Sequence, residues 1–409
     1  MSANLKCVSF KKSILLSQKQ SNKIRYYSYT RPLHTMRKTM NLILRIFMLV
    51  PLLSYGQTDS IAIIAQSKIN SESENPVNSI LFYLEKPDEN YIYNNGFGSF
   101  PQSTSLSLKD YQFRIASSTK LFVSTIILQL AEERKLNLND SVSKYLKNID
   151  YINFDNLHIY EEKSLSDEIT IEQLLSHRSG LADIFTDRQE EFFSFLLQNP
   201  ERQHSPKSII KFYYQFNLNK EPHFAPDNGW YYSDMNYVLL GLIIEQIEQT
   251  TLAKSIRNRL LNPLKMEDTF FEFYEPNEQK KPQVSQYIGS INFSEINTSF
   301  DWSGGGLVST NKDLATFIKS LFNLELINEK SLNRMIDVRF TQKQENKYGL
   351  GIYESEYNGN TYFGHYGFYG TYVGYCPKTN SVISYSISQA TPDFSVYSFI
   401  NEIITLAEL

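Results

Sequence analysis

Apolar residues change period along this chain, and the changes mark its elements. The runs Ser79-Ile-Leu-Phe-Tyr-Leu-Glu85 and Tyr91-Ile-Tyr93 flank the turn-rich Lys86-Pro-Asp-Glu-Asn90, a pattern that predicts a β-hairpin. From Lys120 to Arg134 apolar residues recur at helical spacing, at Leu121, Ile126, Ile127, Leu130 and Ala131, so an amphipathic helix is expected, ending before Leu136-Asn-Leu-Asn-Asp140. Helical patterning then dominates from about 140 to 330, in Ile171–Ser176, Glu190–Leu197, Ser208–Phe216, Tyr237–Glu248 and Lys312–Phe322. Short strands return at Tyr348–Tyr353, Thr361–Gly364, Thr371–Cys376 and Ser381–Ser388, and a helix over about Phe394–Glu408 closes the chain. Strands at both ends with helices between predict an α+β fold, one sheet completed by distant segments with a mostly helical lobe inserted.

The 409 residues, 41% hydrophobic and 21% charged, are enough to bury a large core. A formal net charge of -4 hides an asymmetry. All ten Lys and Arg of the first 57 residues, Lys6 to Arg45, face no Asp or Glu there, which leaves 30 basic against 44 acidic groups, or -14, in the remainder. Such an acidic body repels polyanions, so neither nucleic acid nor an anionic membrane is expected as a partner.

Residues 36–56 read as an export signal: Arg37 and Lys38, the apolar run Leu42 to Leu53, then Ser54 and Gly56 as small residues before a cleavage point. The expected destination is periplasmic or extracellular. The run is short for a bilayer span, so no stable membrane insertion is expected after cleavage, although an uncleaved form would be membrane-anchored. Residues 1–35 precede Met36, where such a signal should begin, and read as a non-native upstream extension; an organellar transit peptide is the second reading. Residues 57–74 are expected to be a short linker and 75–409 the catalytic domain. With Cys7 in the leader, Cys376 has no intramolecular disulfide partner and is expected to be a packing residue.

The chemistry begins at Phe113-Arg-Ile-Ala-Ser-Ser-Thr-Lys120. Ser117 and Lys120, three residues apart on a helix, project from one face, so the amine can accept the hydroxyl proton. The helix start adds unpaired N–H groups and the positive end of the dipole, which suit an oxyanion. Alone the four-residue pattern is common, and Ser117 could be an N-cap.

Around this element the chain resembles the serine β-lactamase and penicillin-binding-protein family, in particular class C β-lactamases, D-Ala-D-Ala carboxypeptidases and related esterases. The resemblance runs through Leu136-Asn-Leu-Asn-Asp140 and Lys144-Tyr-Leu146, Ile171-Glu-Gln-Leu-Leu-Ser-His-Arg-Ser-Gly-Leu181, Tyr232-Ser-Asp-Met-Asn-Tyr-Val-Leu-Leu-Gly241, Gly304-Gly-Gly-Leu-Val-Ser-Thr310 and Gly364-His-Tyr-Gly367, in the family's order. It implies an antiparallel sheet flanked by helices, an active site between sheet and helical lobe, and no cofactor. A small-molecule or cell-wall peptide substrate is implied as well, and a monomer is expected.

The resemblance assigns Ser117 as nucleophile, Lys120 as base and Tyr232 as second acid/base, its phenol relaying a proton if cationic neighbours lower its pKa. Asp234 stands where the family usually has Asn, losing the amide donors and adding charge beside Lys120. His365 and Gly367 stand at the place of the family's Lys-Thr-Gly; His365 is expected to carry positive charge or donate toward a substrate carboxylate, and Gly367 to let substrate approach the strand. The N–H groups of Ser117 and Phe368 are expected to form the oxyanion hole. His177 reads as structural, Lys378-Thr-Asn380 as a turn, and Gly304 to Gly306 as a turn bordering the cleft. Trp230, Tyr231, Trp302 and Phe368 are candidates for an aromatic rim or for core.

Other chemistries lack their signatures. No G-x-S-x-G elbow is present, and six scattered histidines show no metal-ligand spacing, so no metal is expected. A peptidase or esterase acting through an acyl-enzyme is therefore the leading expectation, a β-lactamase the alternative, and a catalytically silent cell-wall-peptide binding protein the rival from another class.

Overall fold

Alternation builds the sheet. In β1 (Ser79–Lys86) Ile80, Phe82 and Leu84 face one hydrophobic cluster, while Leu81 and Tyr83 face another on the opposite side. The computed structural model describes residues 60–98, 106–341 and 346–408, so the upstream extension and export signal lie outside the described residues. β1 pairs with β2 (Tyr91–Gly98), the expected hairpin, and its other edge takes the C-terminal strands: β3 (Tyr353–Tyr357), β4 (Asn360–Gly367), β5 (Thr371–Cys376) and β6 (Ser381–Ile387). The order is β3-β4-β5-β6-β1-β2, antiparallel throughout, with Ile80 opposite Ile387 and Leu84 opposite Ile383. Distant segments therefore complete one sheet.

The outer face is covered by α1 (60–67) and α5 (Val396–Glu408), which contributes Phe399, Ile400, Ile403 and Ile404. This corrects the linker expected over 57–74: Ile61 and Ala65, four residues apart, are fully buried on one side of α1 and belong to the core. Cys376 is buried in the same cluster.

The inner face meets α2 (Thr119–Glu132). That helix is not amphipathic as expected; every residue from Thr119 to Leu128 is buried, because the sheet covers one side and helices α3 (Asp234–Glu248) and α4 (Asn311–Phe322) the others. Phe122 stacks on Phe317 of α4 at 3.8 Å, and Ser124 Oγ meets the Tyr237 hydroxyl of α3 at 3.1 Å. The strand expected over Tyr348–Tyr353 is instead a fold-back. Gly351, at φ 80°, reverses the chain where a side chain would clash with Ser124 Oγ, and Tyr348 meets Tyr353 only in a single bridge.

Candidate active site

The turn that carries Ser117 is held from both ends. The two-residue strand Phe113–Arg114 pairs with Leu307–Ser309, Ile115 N–H donates to Leu307 O, and Ala116, at φ 46°, opens the 3₁₀ turn that leads into α2. A non-glycine residue in that region is strained, and such residues persist where the surroundings over-determine them. The end of β4 and the start of β5 clamp the same turn: Ser118 Oγ donates to His365 O at 3.0 Å and Thr371 Oγ1 to Ile115 O at 3.0 Å. A side chain at Gly367 would strike Ile115 O, so glycine is what lets β4 lie this close. Phe368 follows at once, 43% exposed.

Lys120 is fully buried, its Nζ 3.0 Å from Ser117 Oγ, 2.5 Å from Asp234 Oδ1 and 2.7 Å from Gly304 O. An ammonium would donate to all three oxygens. A neutral amine donates to the two that only accept, the carboxylate and the carbonyl, and turns its lone pair to the serine hydroxyl. Gly304 is required here because a Cβ would fall 2.5 Å from Asp234 Oδ1. Nζ also lies 5.0 Å and 5.2 Å from the ring centres of Tyr232 and Tyr237.

Tyr232 reaches the same point from the loop before α3. Its hydroxyl is buried without a hydrogen-bond partner among the described residues, and Ser117 is the neighbour that acts to lower its pKa. The net direction is nonetheless strongly upward, burial first and the Asp234 charge next, which corrects the expectation of a phenol with a lowered pKa. Tyr232 therefore stays protonated and holds a phenol O–H toward the site, available as a hydrogen-bond donor. His177 stacks on its ring at 4.2 Å; its Nδ1 accepts from Ser233 N at 3.2 Å and Asn236 Nδ2 at 3.0 Å, which puts the ring proton on Nε2. His177 is structural, as expected.

His365 differs from expectation. It is 1% exposed, and burial, with Lys120 nearby, pushes its pKa down to about 3, so the imidazole is neutral. Its Nδ1 lies 2.6 Å from Tyr366 O, which only accepts, so Nε2 must accept from the Tyr348 hydroxyl at 3.0 Å. With both nitrogens engaged, the ring offers neither a charge nor a free donor to a substrate carboxylate; it fixes the edge of β4 instead. Trp302 is 1% exposed and belongs to the core, whereas Trp230 and Tyr231 are half-buried.

Two carboxyls went unread in the sequence, the buried Asp183 and the half-buried Asp301. Asp183 accepts the Asp234 N–H at 2.8 Å and caps the turn at Thr186, and burial followed by the Asp234 charge raises its pKa well above the usual carboxyl range. Asp301 accepts from the Tyr369 hydroxyl at 2.8 Å, and burial raises its pKa to about 7. Their only sequence signal was adjacency, Asp183 just after the block ending at Leu181 and Asp301 just before the one starting at Gly304.

A serine bonded to a buried lysine at a helix start, with a phenol above it and a sheet edge alongside, defines a serine hydrolase site of the S-x-x-K kind. The family model described as Beta-lactamase matches residues 89–400, and the chain belongs to that family. Among curated proteins it is similar to Protein flp of Staphylococcus aureus (strain COL), 31% identical over 217 residues, which are 52% of this chain and 39% of that protein. The chain thus spans well under half the length of that relative. Among solved structures it is similar to a D-stereospecific amidohydrolase from Streptomyces sp., with TM-score 0.68 and 23% identity over 85% of this chain and 98% of that one. It is also similar to the D-amino acid amidase from Ochrobactrum anthropi SV3, with TM-score 0.69 and 20% identity over 86% and 99%. These likenesses are of fold.

Proposed function

We propose that this protein hydrolyses amide or ester bonds of small D-configured acyl donors, including D-Ala-D-Ala-type peptides, through an acyl-enzyme on Ser117. The observation that carries the reading is the Lys120 nitrogen, held between Ser117 Oγ, Asp234 Oδ1 and Gly304 O so that one valence is left for the serine proton. Ser117 Oγ attacks the carbonyl carbon as its proton passes to Lys120, and the N–H groups of Ser117 and Phe368 hold the oxyanion. Tyr232, kept protonated, delivers a proton to the leaving nitrogen or oxygen and regains one from the Lys120 ammonium; water then attacks the acyl carbon, its hydroxyl leaving with the acyl group and its proton returning to Ser117 through the same two groups. That the similar solved structures include a D-stereospecific amidohydrolase and a D-amino acid amidase supports the D-configured amide.

The test is a parallel assay of a D-amino acid amide, a D-Ala-D-Ala peptide, a p-nitrophenyl ester and a chromogenic cephalosporin. Turnover of the first three above the cephalosporin is expected. Fast hydrolysis of the cephalosporin alone would make the protein a β-lactamase instead.

A further inference from the structure

The Asp234 carboxylate has one oxygen to spare. Oδ1 is taken by Lys120, the backbone N–H goes to Asp183, and the side chain is 20% exposed, with no partner for Oδ2 among the described residues. Because Ser117 Oγ and Asp234 Oδ1 touch the same lysine nitrogen, at 3.0 and 2.5 Å, a group on the carbon next to an attacked carbonyl falls within reach of this carboxylate. A carboxylate accepts only. It meets the carbonyl oxygen of an N-acylated donor with lone pairs on both sides, but it meets an ammonium with opposite charge and up to three N–H donors.

The other charges around the site point the same way. Lys120 is committed to three oxygens, Arg114 to Glu272 and the carbonyls of Phe293 and Ile296, and His365 is neutral with both nitrogens engaged. Asp183 and Asp301 lie close enough to Asp234 to feel its charge, and neither brings positive charge to the site. A substrate carboxylate finds no free cation among these groups.

We infer that Asp234 selects the charge class of the acyl donor: the site takes donors with a free α-ammonium, such as D-amino acid amides, esters and the N-terminal residue of D-peptides, over N-acylated or carboxylate-bearing ones. This rests on the acyl-enzyme reading above and narrows its substrate.

The test uses p-nitroanilides that differ at one group: D-alanine, D-lactate with hydroxyl in place of the amine, N-acetyl-D-alanine and N-succinyl-D-alanine. In the native enzyme kcat/KM for the free amine should exceed that for the acetylated donor by on the order of tenfold to a hundredfold, with the succinyl donor lowest. Asp234→Asn should shrink that ratio severalfold or more, mainly through KM. Equal or better turnover of the acetylated or succinyl donor by the native enzyme overturns the assignment, as does an unchanged ratio in the variant. If Asp234→Asn does not fold, the native ratio alone decides. Absence of nitroaniline from every donor together with no fluorophosphonate adduct at Ser117 is a separate outcome, which overturns the acyl-enzyme reading itself.

Discussion

At the scale of single residues, the site is a set of short distances converging on the Lys120 nitrogen. Lys120→Ala and Tyr232→Phe should each bind donor yet acylate on the order of a hundredfold to ten-thousandfold more slowly, as expected for loss of a proton-transfer group; stopped-flow acylation rates equal to the native enzyme's would remove the assigned role. Gly304→Ala places a methyl 2.5 Å from Asp234 Oδ1, so acylation should fall with little change in the circular dichroism spectrum. Native acylation in that variant would show that Lys120 tolerates displacement. Ser117, Lys120 and Tyr232 were legible because the family's spacing is local. Asp183, Asp301 and Tyr348 were not, since each reaches the site from a turn whose course depends on packing. The His365 charge was misread for the same reason: only burial and the Tyr348 hydroxyl show that the ring is neutral.

At the scale of elements, sequence periodicity located most helices and strands within a few residues but misjudged surroundings. The helix that follows the nucleophile carries Ser124 and Thr125 among its apolar residues, and these polar residues made it look one-sided. They are satisfied internally, by Tyr237 and by Leu121 O, so the helix is buried on every side from Thr119 to Leu128. Phe122→Ala, which removes the ring stacked on Phe317, should cost roughly 3–5 kcal/mol in urea unfolding. A loss under about 1 kcal/mol would mean that the interface between α2 and α4 collapses to fill the space. Ile403→Ala, on the opposite face of the sheet, should lower stability through the same kind of cavity while leaving the Ser117 acylation rate of the folded fraction unchanged.

At the scale of the molecule, the sheet draws its strands from both ends of the sequence, an organisation readable from where strand patterning stops and resumes. What could not be read is the load of buried ionisable groups. Asp301, with an ordinary carboxyl value in the unfolded chain and about 7 in the fold, holds its proton more tightly when folded. Its stabilising contribution is therefore complete at low pH and is lost as pH rises from about 4 through 7. His365, pushed down to about 3, acts oppositely, its contribution being lost as pH falls below its ordinary value near 6.5. Asp301→Asn should accordingly flatten the decline in thermal stability between pH 4 and 8 relative to the native protein. Parallel curves for the two proteins would show that Asp301 ionises normally.

Whether Ser117 is the nucleophile can be read directly by treating the folded protein with a fluorophosphonate and with a fluorescent penicillin, then mapping the adduct by peptide mass spectrometry. One adduct per chain, on Ser117 and absent from Ser117→Ala, is the predicted result. No adduct with either reagent, or an adduct on another residue, would contradict it.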